Sequence, residues 1–107
     1  MQETSRSQRI HERYECDIDA EIVREGTAIA AQVRDISLGG VLFVSDVPFE
    51  YGDTLAIRFQ IPGLKRVSEL EAIVRWVGHA GTGVQFLKIR AYEVWGLNQL
   101  FRAAQAA

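Results

Sequence analysis

Apolar and polar side chains alternate residue by residue along several short stretches of this chain. The clearest stretch places four apolar side chains at every second position: Leu55, Ile57, Phe59 and Ile61. A period of two sends successive side chains to opposite faces of a strand. This stretch therefore predicts a β-strand with one buried face, because an amphipathic helix would repeat its apolar residues every three or four positions.

Five other short segments share this strand-like character. They cover residues 17–21, 29–36, 41–44, 70–77 and 84–87. Glycine- and proline-containing stretches separate them, at residues 25–27, 37–40, 48–52, 62–63 and 79–83. Such punctuation between short β-branched and aromatic runs is typical of all-β domains.

The last segment changes to a helical period. Its apolar positions are Val94, Leu97, Phe101 and Ala104, with Trp95 and Leu100 widening the stripe. Gly96 lies inside this segment and costs the helix about 1 kcal/mol relative to alanine, so we expect the helix to depend on docking. Six strands and one terminal helix predict an all-β fold, a six-stranded antiparallel β-barrel with a C-terminal α-helix. Trp76 and Trp95 are expected in its core.

Residues 1–13 differ from the rest of the chain. They are polar and carry Arg6, Arg9 and Arg13, with Ile10 as the one internal apolar residue. We expect a flexible N-terminal arm over residues 1–13, followed by the barrel and its helix over residues 14–107.

Charge and composition limit the classes of partner. The formal net charge of −2 argues against general electrostatic attraction to a nucleic-acid polymer or an anionic membrane. No apolar run approaches the roughly 20 residues that cross a bilayer, so no membrane insertion is expected. Cys16 is the single cysteine and is interpreted as an inert apolar residue. A cytoplasmic location is the expectation.

Arg9 and Arg13 form the first group with ligand-binding chemistry. Guanidinium groups bind phosphate bidentately, match the O6/N7 edge of guanine and stack on purine faces. Two arginines four residues apart recur by chance in many proteins, so this spacing alone favours a solvated charged arm.

The second group runs from Asp35 to Gly40. Asp35 can accept hydrogen bonds from the N1 and N2 donors of guanine, and the Ser37 hydroxyl can meet a phosphate or a base. Gly39 and Gly40 permit a positive φ or a close backbone approach. A turn in which Asp and Ser bond their own backbone accounts for the same residues.

Together, the two groups resemble the signature of the PilZ domain family. That signature pairs RxxxR, here Arg9 and Arg13, with DxSxxG, here Asp35, Ser37 and Gly40. Residues 39–41, 74–77 and 81–86 continue the resemblance, which covers the chain from about Gln8 to the terminal helix.

The resemblance implies a ligand, the bacterial second messenger cyclic di-GMP, and no cofactor. Arg9 and Arg13 would contact its phosphates and guanine faces, Asp35 and Ser37 would read a guanine edge, and Gly39 and Gly40 would turn the backbone beside it. Gln8 and Arg6 are accessory positions. In the family, the residue before the first arginine influences whether one ligand or an intercalated pair binds, and the sequence leaves that number open.

Three interpretations of function follow. The first is a cyclic di-GMP receptor that signals by ligand-induced ordering of its arm and altered binding of an unidentified downstream protein. The second is a nucleotide-independent interaction module of the same fold. The third is single-stranded nucleic-acid binding, which the acidic side chains of the first strand oppose.

Catalysis and metal binding are not expected. Ser37, His11 and Asp35 lack the preorganised setting that a hydrolytic triad needs, so we predict that the chain is not an enzyme. His11 and His79 belong to no spacing that is typical of metal ligands.

Overall fold

The computed structural model describes residues 13–106, with side chains to residue 104. The six strands are β1 Tyr14–Arg24, β2 Thr27–Ile36, β3 Gly40–Val44, β4 Thr54–Phe59, β5 Ser68–Gly78 and β6 Gly81–Phe86, and they precede one helix, α1 Ala91–Ala106. Of the expected N-terminal arm only Arg13 is described. The remaining arm residues, including Arg6, Gln8, Arg9 and His11, lie outside the described residues.

The strands close into a barrel in the order β1-β2-β3-β6-β5-β4, and every neighbouring pair is antiparallel. The barrel closes where Ile22 of β1 pairs with Ile57 of β4. On its outer face, Arg58 donates to Glu21 at 2.9 Å and to Glu69 at 3.2 Å, which ties β4 to both neighbouring strands. The predicted six-stranded antiparallel barrel with a C-terminal helix is confirmed.

The core fills the barrel with side chains from all six strands. Fully enclosed members include Ile22, Val33, Phe43, Ile57, Leu70 and Val74. Ile61 is also buried, although β4 ends at Phe59, before the predicted end of that strand. Burial of one face on each strand is what the period of two predicted.

Helix α1 docks on the barrel through Leu97, Leu100 and Phe101, all buried. A Cβ added at Gly96 would lie 2.7 Å from Cδ1 of Leu64, in the loop between β4 and β5. The close approach explains why glycine occupies a helical position where alanine is the better helix former. Docking, rather than intrinsic helix propensity, therefore determines this residue.

A buried carboxylate fastens the first turn of α1. Ser68 Oγ donates to Glu93 Oε2 at 2.8 Å, and Arg90 Nε donates to Oε1 at 2.9 Å. The hydrogen bond from Arg90 is the largest influence on Glu93 and, with that from Ser68, holds its pKa below the ordinary value despite burial. The link joins the helix to the start of β5.

Strand β6 begins earlier than predicted. Residues 79–83 suggested a turn, yet Gly81 already pairs with Gly78 and Thr82 with Val77. The turn therefore contains only His79 and Ala80. This glycine-rich segment has little strand propensity of its own. It is nevertheless a strand because it pairs with β3 on one side and with β5 on the other.

The prediction that both tryptophans are core residues is wrong. Trp76 is 49% exposed and Trp95 is 57% exposed. On α1, Trp95 lies about 200° around the helix from the buried Leu97, on the solvent side. On β5, the register shifts by one residue between Val74 and Trp76, and such a bulge turns a side chain from one face to the other.

No helix within residues 13–106 is long and apolar enough to span a membrane.

Candidate ligand-binding site

An open groove of about 430 Å³ lies beside the turn between β2 and β3. Its lining comes from four strands, from the β2–β3 and β5–β6 turns and from Arg13, just before β1: Arg13, Asp35, Ser37, Gly39, Gly40, Val41, Leu42, Arg75, Trp76, Ala80, Gly83, Val84 and Gln85. The structure thus brings together the five described residues of the predicted site, Arg13, Asp35, Ser37, Gly39 and Gly40. Arg9, Gln8 and Arg6 lie outside the described residues.

A bulge in β2 places Asp35 on the groove side. Val33 pairs with Phe43, but the next pair is Asp35 with Leu42, so β2 carries one extra residue at Arg34. Val33 and Ile36 are both fully buried, whereas regular alternation would have sent Asp35 inward with Val33. The bulge therefore keeps the carboxylate out of the core and at the groove.

Arg13 and Asp35 form an ion pair in the groove. Arg13 Nη1 donates to Asp35 Oδ1 at 2.8 Å. The Arg13 side chain is 63% exposed and that of Asp35 is 18% exposed. An ion pair whose cation is this exposed stabilises the folded state by about 0–1 kcal/mol. Phosphate is a stronger acceptor than the carboxylate and can therefore displace Asp35 from Arg13.

Ser37 holds the turn together. Its Oγ accepts hydrogen bonds from the backbone N–H groups of Gly39 at 3.1 Å and Gly40 at 3.3 Å, and it donates to the Gly40 carbonyl at 3.3 Å. The Ser37 N–H donates to the same carbonyl at 2.8 Å. Ser37 therefore bonds its own turn, and its role toward a ligand stays a prediction.

Close strand packing requires glycine at position 40. A Cβ there would lie 1.8 Å from the Val84 carbonyl oxygen of β6, a distance that no side chain can accept. The neighbouring Gly39 carbonyl accepts the Phe86 N–H at 2.8 Å. Neither glycine has a positive φ. The turn is thus clamped against β6, which makes it a rigid wall of the groove.

Sequence reasoning missed the polar and aromatic side chains that β5 and β6 add to the groove, Arg75, Trp76 and Gln85. Arg75 Nε donates to Gln85 Oε1 at 3.0 Å, and Arg75 Nη1 donates to the Tyr51 hydroxyl at 3.4 Å. The alternation of β5, with Ala72 and Val74 buried, was a signal that Arg75 points outward. No sequence signal identified the bulge that exposes Trp76.

Charge distinguishes this groove from two others of comparable volume. One of about 380 Å³ is lined by Asp46 and His79 among other residues, and one of about 590 Å³ by Asp19 and Asp46. Neither has a lysine or arginine in its lining, whereas the groove at Asp35 has Arg13 and Arg75. Of these three grooves, the one at Asp35 is suited to an anionic ligand.

Cys16 lies close to the site without chemistry of its own. It is half-buried, and its Sγ contacts the Val33 carbonyl at 3.5 Å. Burial, followed by the negative charges of Asp35 and Asp17, raises the pKa of the thiol to about 11. The thiolate is therefore scarce at neutral pH, as expected for an inert cysteine.

Comparison with known proteins adds a family to this geometry. The family model for the PilZ domain matches residues 7–103. The chain belongs to the PilZ domain family. This match covers the groove and both arginines of the RxxxR motif. Among curated protein sequences, none matches the chain.

Solved structures resemble this PilZ domain in fold. The Bacillus subtilis inhibitor of motility, MotI/DgrA, has a TM-score of 0.79 and 25% identity over 92% of this chain and 51% of its own. This chain therefore spans about half the length of MotI. The PilZ domain of Escherichia coli YcgR, solved with c-di-GMP, gives 0.68 and 14% over 92% of each chain. The PilZ domain of CeSA, from a cellulose-synthesizing bacterium, gives 0.64 and 14% over 88% of this chain and 98% of its own.

Proposed function

We propose that this PilZ domain is a non-catalytic receptor that binds cyclic di-GMP in the groove at Asp35. One observation carries the proposal. Arg13 Nη1 and Asp35 Oδ1 lie 2.8 Å apart beside a rigid turn, in a groove that Arg75 also lines. The guanidinium can be displaced from this pair, and the carboxylate can then accept hydrogen bonds from a guanine edge. Cyclic di-GMP combines anionic phosphates with purine edges, so it matches both groups at once. The related PilZ domain of YcgR was solved with this ligand.

In this proposal Arg13 exchanges partners on binding. Its guanidinium leaves Oδ1 of Asp35 for a phosphate or a guanine face of the ligand. Since the side chain is largely exposed, the exchange needs only a change of rotamer. Release from Arg13 frees the Asp35 carboxylate to accept the N1 and N2 hydrogens of a guanine.

The turn supplies the surface on which that guanine lies. Ser37 keeps the backbone of Gly39 and Gly40 in place and presents its hydroxyl at the groove. We propose that Ser37 serves the ligand mainly through this fixed geometry, since its hydroxyl already makes bonds within the turn. The absence of a side chain at Gly39 lets a planar base approach the backbone there.

Arg9 completes the proposed site together with Arg13. The ligand would join these arginines to the turn from Asp35 to Gly40 and hold the N-terminal residues across the groove. In this proposal, Gln8 and Arg6 influence whether a second, intercalated ligand binds. Molecular mass and calorimetric stoichiometry decide between one ligand and two.

The proposed output is a changed surface for a protein partner. Closing residues 1–13 over the groove alters what the barrel presents on that side, and a partner that binds the closed form better responds to the ligand. MotI is described as an inhibitor of motility. By analogy we propose a downstream protein for this chain.

Isothermal calorimetry with cyclic di-GMP tests the receptor proposal. We expect binding by the unchanged chain and roughly 10- to 100-fold weaker binding by Arg9→Ala, Arg13→Ala and Asp35→Ala, because each substitution removes a charge-assisted contact. Arg102→Ala is the matched control, since Arg102 is an exposed arginine of α1 that does not line the groove. Absence of heat at tens of micromolar, or an affinity unchanged in Arg13→Ala, would overturn the proposal.

The Arg13–Asp35 pair also favours a second candidate. Because the carboxylate already has a cationic partner, the folded barrel does not require a ligand to satisfy its site. A nucleotide-independent interaction module is therefore the alternative. It predicts no calorimetric binding, together with capture of a protein partner that added cyclic di-GMP does not change.

A further inference from the structure

The loop between β4 and β5 lies against the first turns of α1. Arg66 Cζ lies 4.7 Å from the centre of the Tyr92 ring, in a cation–π contact. Leu64, two residues earlier in the loop, packs closely against Gly96, which has no side chain. The loop and the outer side of the helix therefore form one continuous surface.

Trp95 is the largest exposed side chain of this surface. It is 57% exposed and lies three residues from Tyr92, which makes the two rings neighbours on the helix. In the loop, Val67 is 60% exposed. Tryptophan is enriched at the centres of protein–protein interfaces because one ring buries a large apolar area. The helix–loop patch is defined by Lys65, Arg66, Val67, Tyr92, Trp95 and Arg102.

The helix–loop patch is positively charged, although the chain as a whole has a net charge of −2. Its three cations, Lys65, Arg66 and Arg102, are exposed. Arg102 follows Trp95 by seven residues, or about two turns, so both side chains point to the same side of α1. Within the described part of the chain, no carboxylate forms an ion pair with any of the three cations. They are therefore available to an acidic partner.

Exposed carboxylates lie elsewhere on the molecule. Residues 60–67 and 87–104, all of them described, contain a single carboxylate, Glu93. Glu93 is fully buried and already accepts a hydrogen bond from Arg90. By contrast, β1 exposes acidic side chains at alternate positions, including Asp17 and Asp19. An anionic partner at the helix–loop patch thus meets cations and an exposed indole, with no carboxylate to repel it there.

We propose that the helix–loop patch docks an acidic segment of a partner protein in which apolar side chains adjoin the carboxylates. The carboxylates pair with the cations of the patch, and the apolar side chains cover Trp95 and Val67. Burial of the indole supplies affinity, whereas charge selects the partner and speeds the encounter. No residue of the patch lines the groove at Asp35, so this docking needs no nucleotide and goes beyond the proposed receptor function.

Two other occupants match the helix–loop patch less well. A helix that lies on a membrane turns a wide apolar face to the lipid, whereas α1 buries its apolar face on the barrel and exposes Asn98 and Gln99 beside Trp95. A second copy of the chain would have to offer the acidic side of β1, which is a different surface from the patch. Such a contact is heterologous and does not close into a symmetric dimer.

Tryptophan fluorescence reports whether the patch is occupied. The chain has two tryptophans, so Trp76→Phe leaves Trp95 as the only one. We would titrate this variant with a short synthetic peptide in which Glu alternates with Leu. The emission of Trp95 should move to shorter wavelength and saturate as the ring leaves water, and the midpoint should rise with added salt. Matched peptides with Lys in place of Glu, or Ser in place of Leu, should bind at least about tenfold more weakly.

Fluorescence polarisation of the labelled acidic peptide measures what single residues of the patch contribute. We expect roughly tenfold weaker binding for Trp95→Ala and for Arg66→Glu. Lys65→Glu repeats the charge test at a second position. Arg34→Glu and Val77→Ala are matched controls that change an exposed cation and an exposed apolar residue outside the patch, and should leave binding unchanged. Circular dichroism checks that each variant is folded.

The outcomes separate this inference from its alternatives and from the proposed function. Failure of the acidic peptide to bind saturably, equal binding of the Glu and Lys peptides, or equal binding by Trp95→Ala would each overturn the docking surface. So would a shift of Trp95 emission with phosphatidylserine vesicles but not with peptide, or a concentration-dependent dimer that Trp95→Ala abolishes. Calorimetry with cyclic di-GMP is independent: absence of nucleotide binding leaves the docking surface standing, and absence of peptide binding leaves the receptor proposal standing.

Discussion

At the Arg13–Asp35 pair, the proposed ligand would replace an interaction that the protein already makes. Arg13 is too exposed for the pair to add much stability, and a phosphate offers its guanidinium a stronger acceptor. Gly40, in the same signature, has the opposite character because Val84 leaves no room for a Cβ. The signature therefore mixes a residue suited to ligand exchange with a residue that the barrel itself requires.

Chemical denaturation should separate these two residues. We expect Arg13→Ala to change the free energy of unfolding by less than about 1 kcal/mol. Gly40→Ala should lower it by about 3 kcal/mol or more, because β3 and β6 must move apart to admit the methyl group. Equal effects of the two substitutions in urea titrations would contradict this division.

The Cys16 thiol should react slowly in the folded protein. A pKa of about 11, against the ordinary value of 9.0, lowers the thiolate population about 100-fold, and the greater nucleophilicity of a more basic thiolate recovers about tenfold. Alkylation by iodoacetamide at pH 8 should therefore be about tenfold slower in the native chain than in urea, before steric protection is counted. Equal rates in the two states would contradict the conclusion that burial and nearby negative charges raise the pKa of the Cys16 thiol.

The resemblance to the PilZ signature singled out Arg13, Asp35 and Ser37 from the sequence, whereas residue chemistry alone fits a solvated arm and a self-bonded turn as well as a ligand site. The sequence does not show why position 40 must be glycine. The carbonyl oxygen that a side chain would meet there belongs to Val84, which is far from Gly40 in the sequence. Trp76 was assigned to the core because a one-residue bulge leaves no mark in the period of two. Predicting its exposure requires the register of β5 against β6.

Among the elements, α1 depends on one buried carboxylate as well as on its apolar face. The hydrogen bond from Arg90, followed by that from Ser68, lowers the pKa of Glu93 in the folded state. A carboxyl group with a lowered folded pKa stabilises the protein above its ordinary pKa of 4.5, and this contribution is lost as pH falls through the folded value. Acid should therefore loosen the helix from β5.

Thermal unfolding as a function of pH tests this link. We expect Ser68→Ala to cost about 1–2 kcal/mol at pH 7, since it leaves a buried carboxylate with one hydrogen bond fewer. Glu93→Gln should reduce the loss of stability between pH 5 and pH 3 relative to the unchanged chain. An identical acid dependence in the two proteins would contradict the role of Glu93. Glu71→Gln, at an exposed position of β5, is the matched control.

Element positions followed from the sequence wherever a period was present, as in β4 and α1. The start of β6 did not, because Gly81 and Gly83 read as turn residues in isolation. Hydrogen bonding to β3 and β5 overrides that local preference. In the sequence, Trp95 belongs to the apolar stripe of α1. In the structure, the buried face of the helix contains Glu93, Leu97 and Phe101 and does not include Trp95.

For the molecule as a whole, the pairing of β3 with β6 is what assembles the groove. Arg13, Asp35 and Trp76 are far apart in sequence and meet because β3 lies beside β6 in the strand order β1-β2-β3-β6-β5-β4. Alternation predicts strands but not this order, which comes from the structure alone. A site built from paired strands and a clamped turn is preorganised, so we expect the N-terminal residues, rather than the barrel, to respond most to a ligand.

The central claim is that cyclic di-GMP binds this PilZ domain at the groove beside Asp35. Two-dimensional NMR of the ¹⁵N-labelled chain during titration with cyclic di-GMP tests binding and location together. We expect the largest amide shifts in the described chain at residues 35–40, 75–76 and 83–85, with residues 97–104 of α1 nearly unmoved. A spectrum unchanged at excess ligand, or shifts concentrated on α1, would contradict the claim.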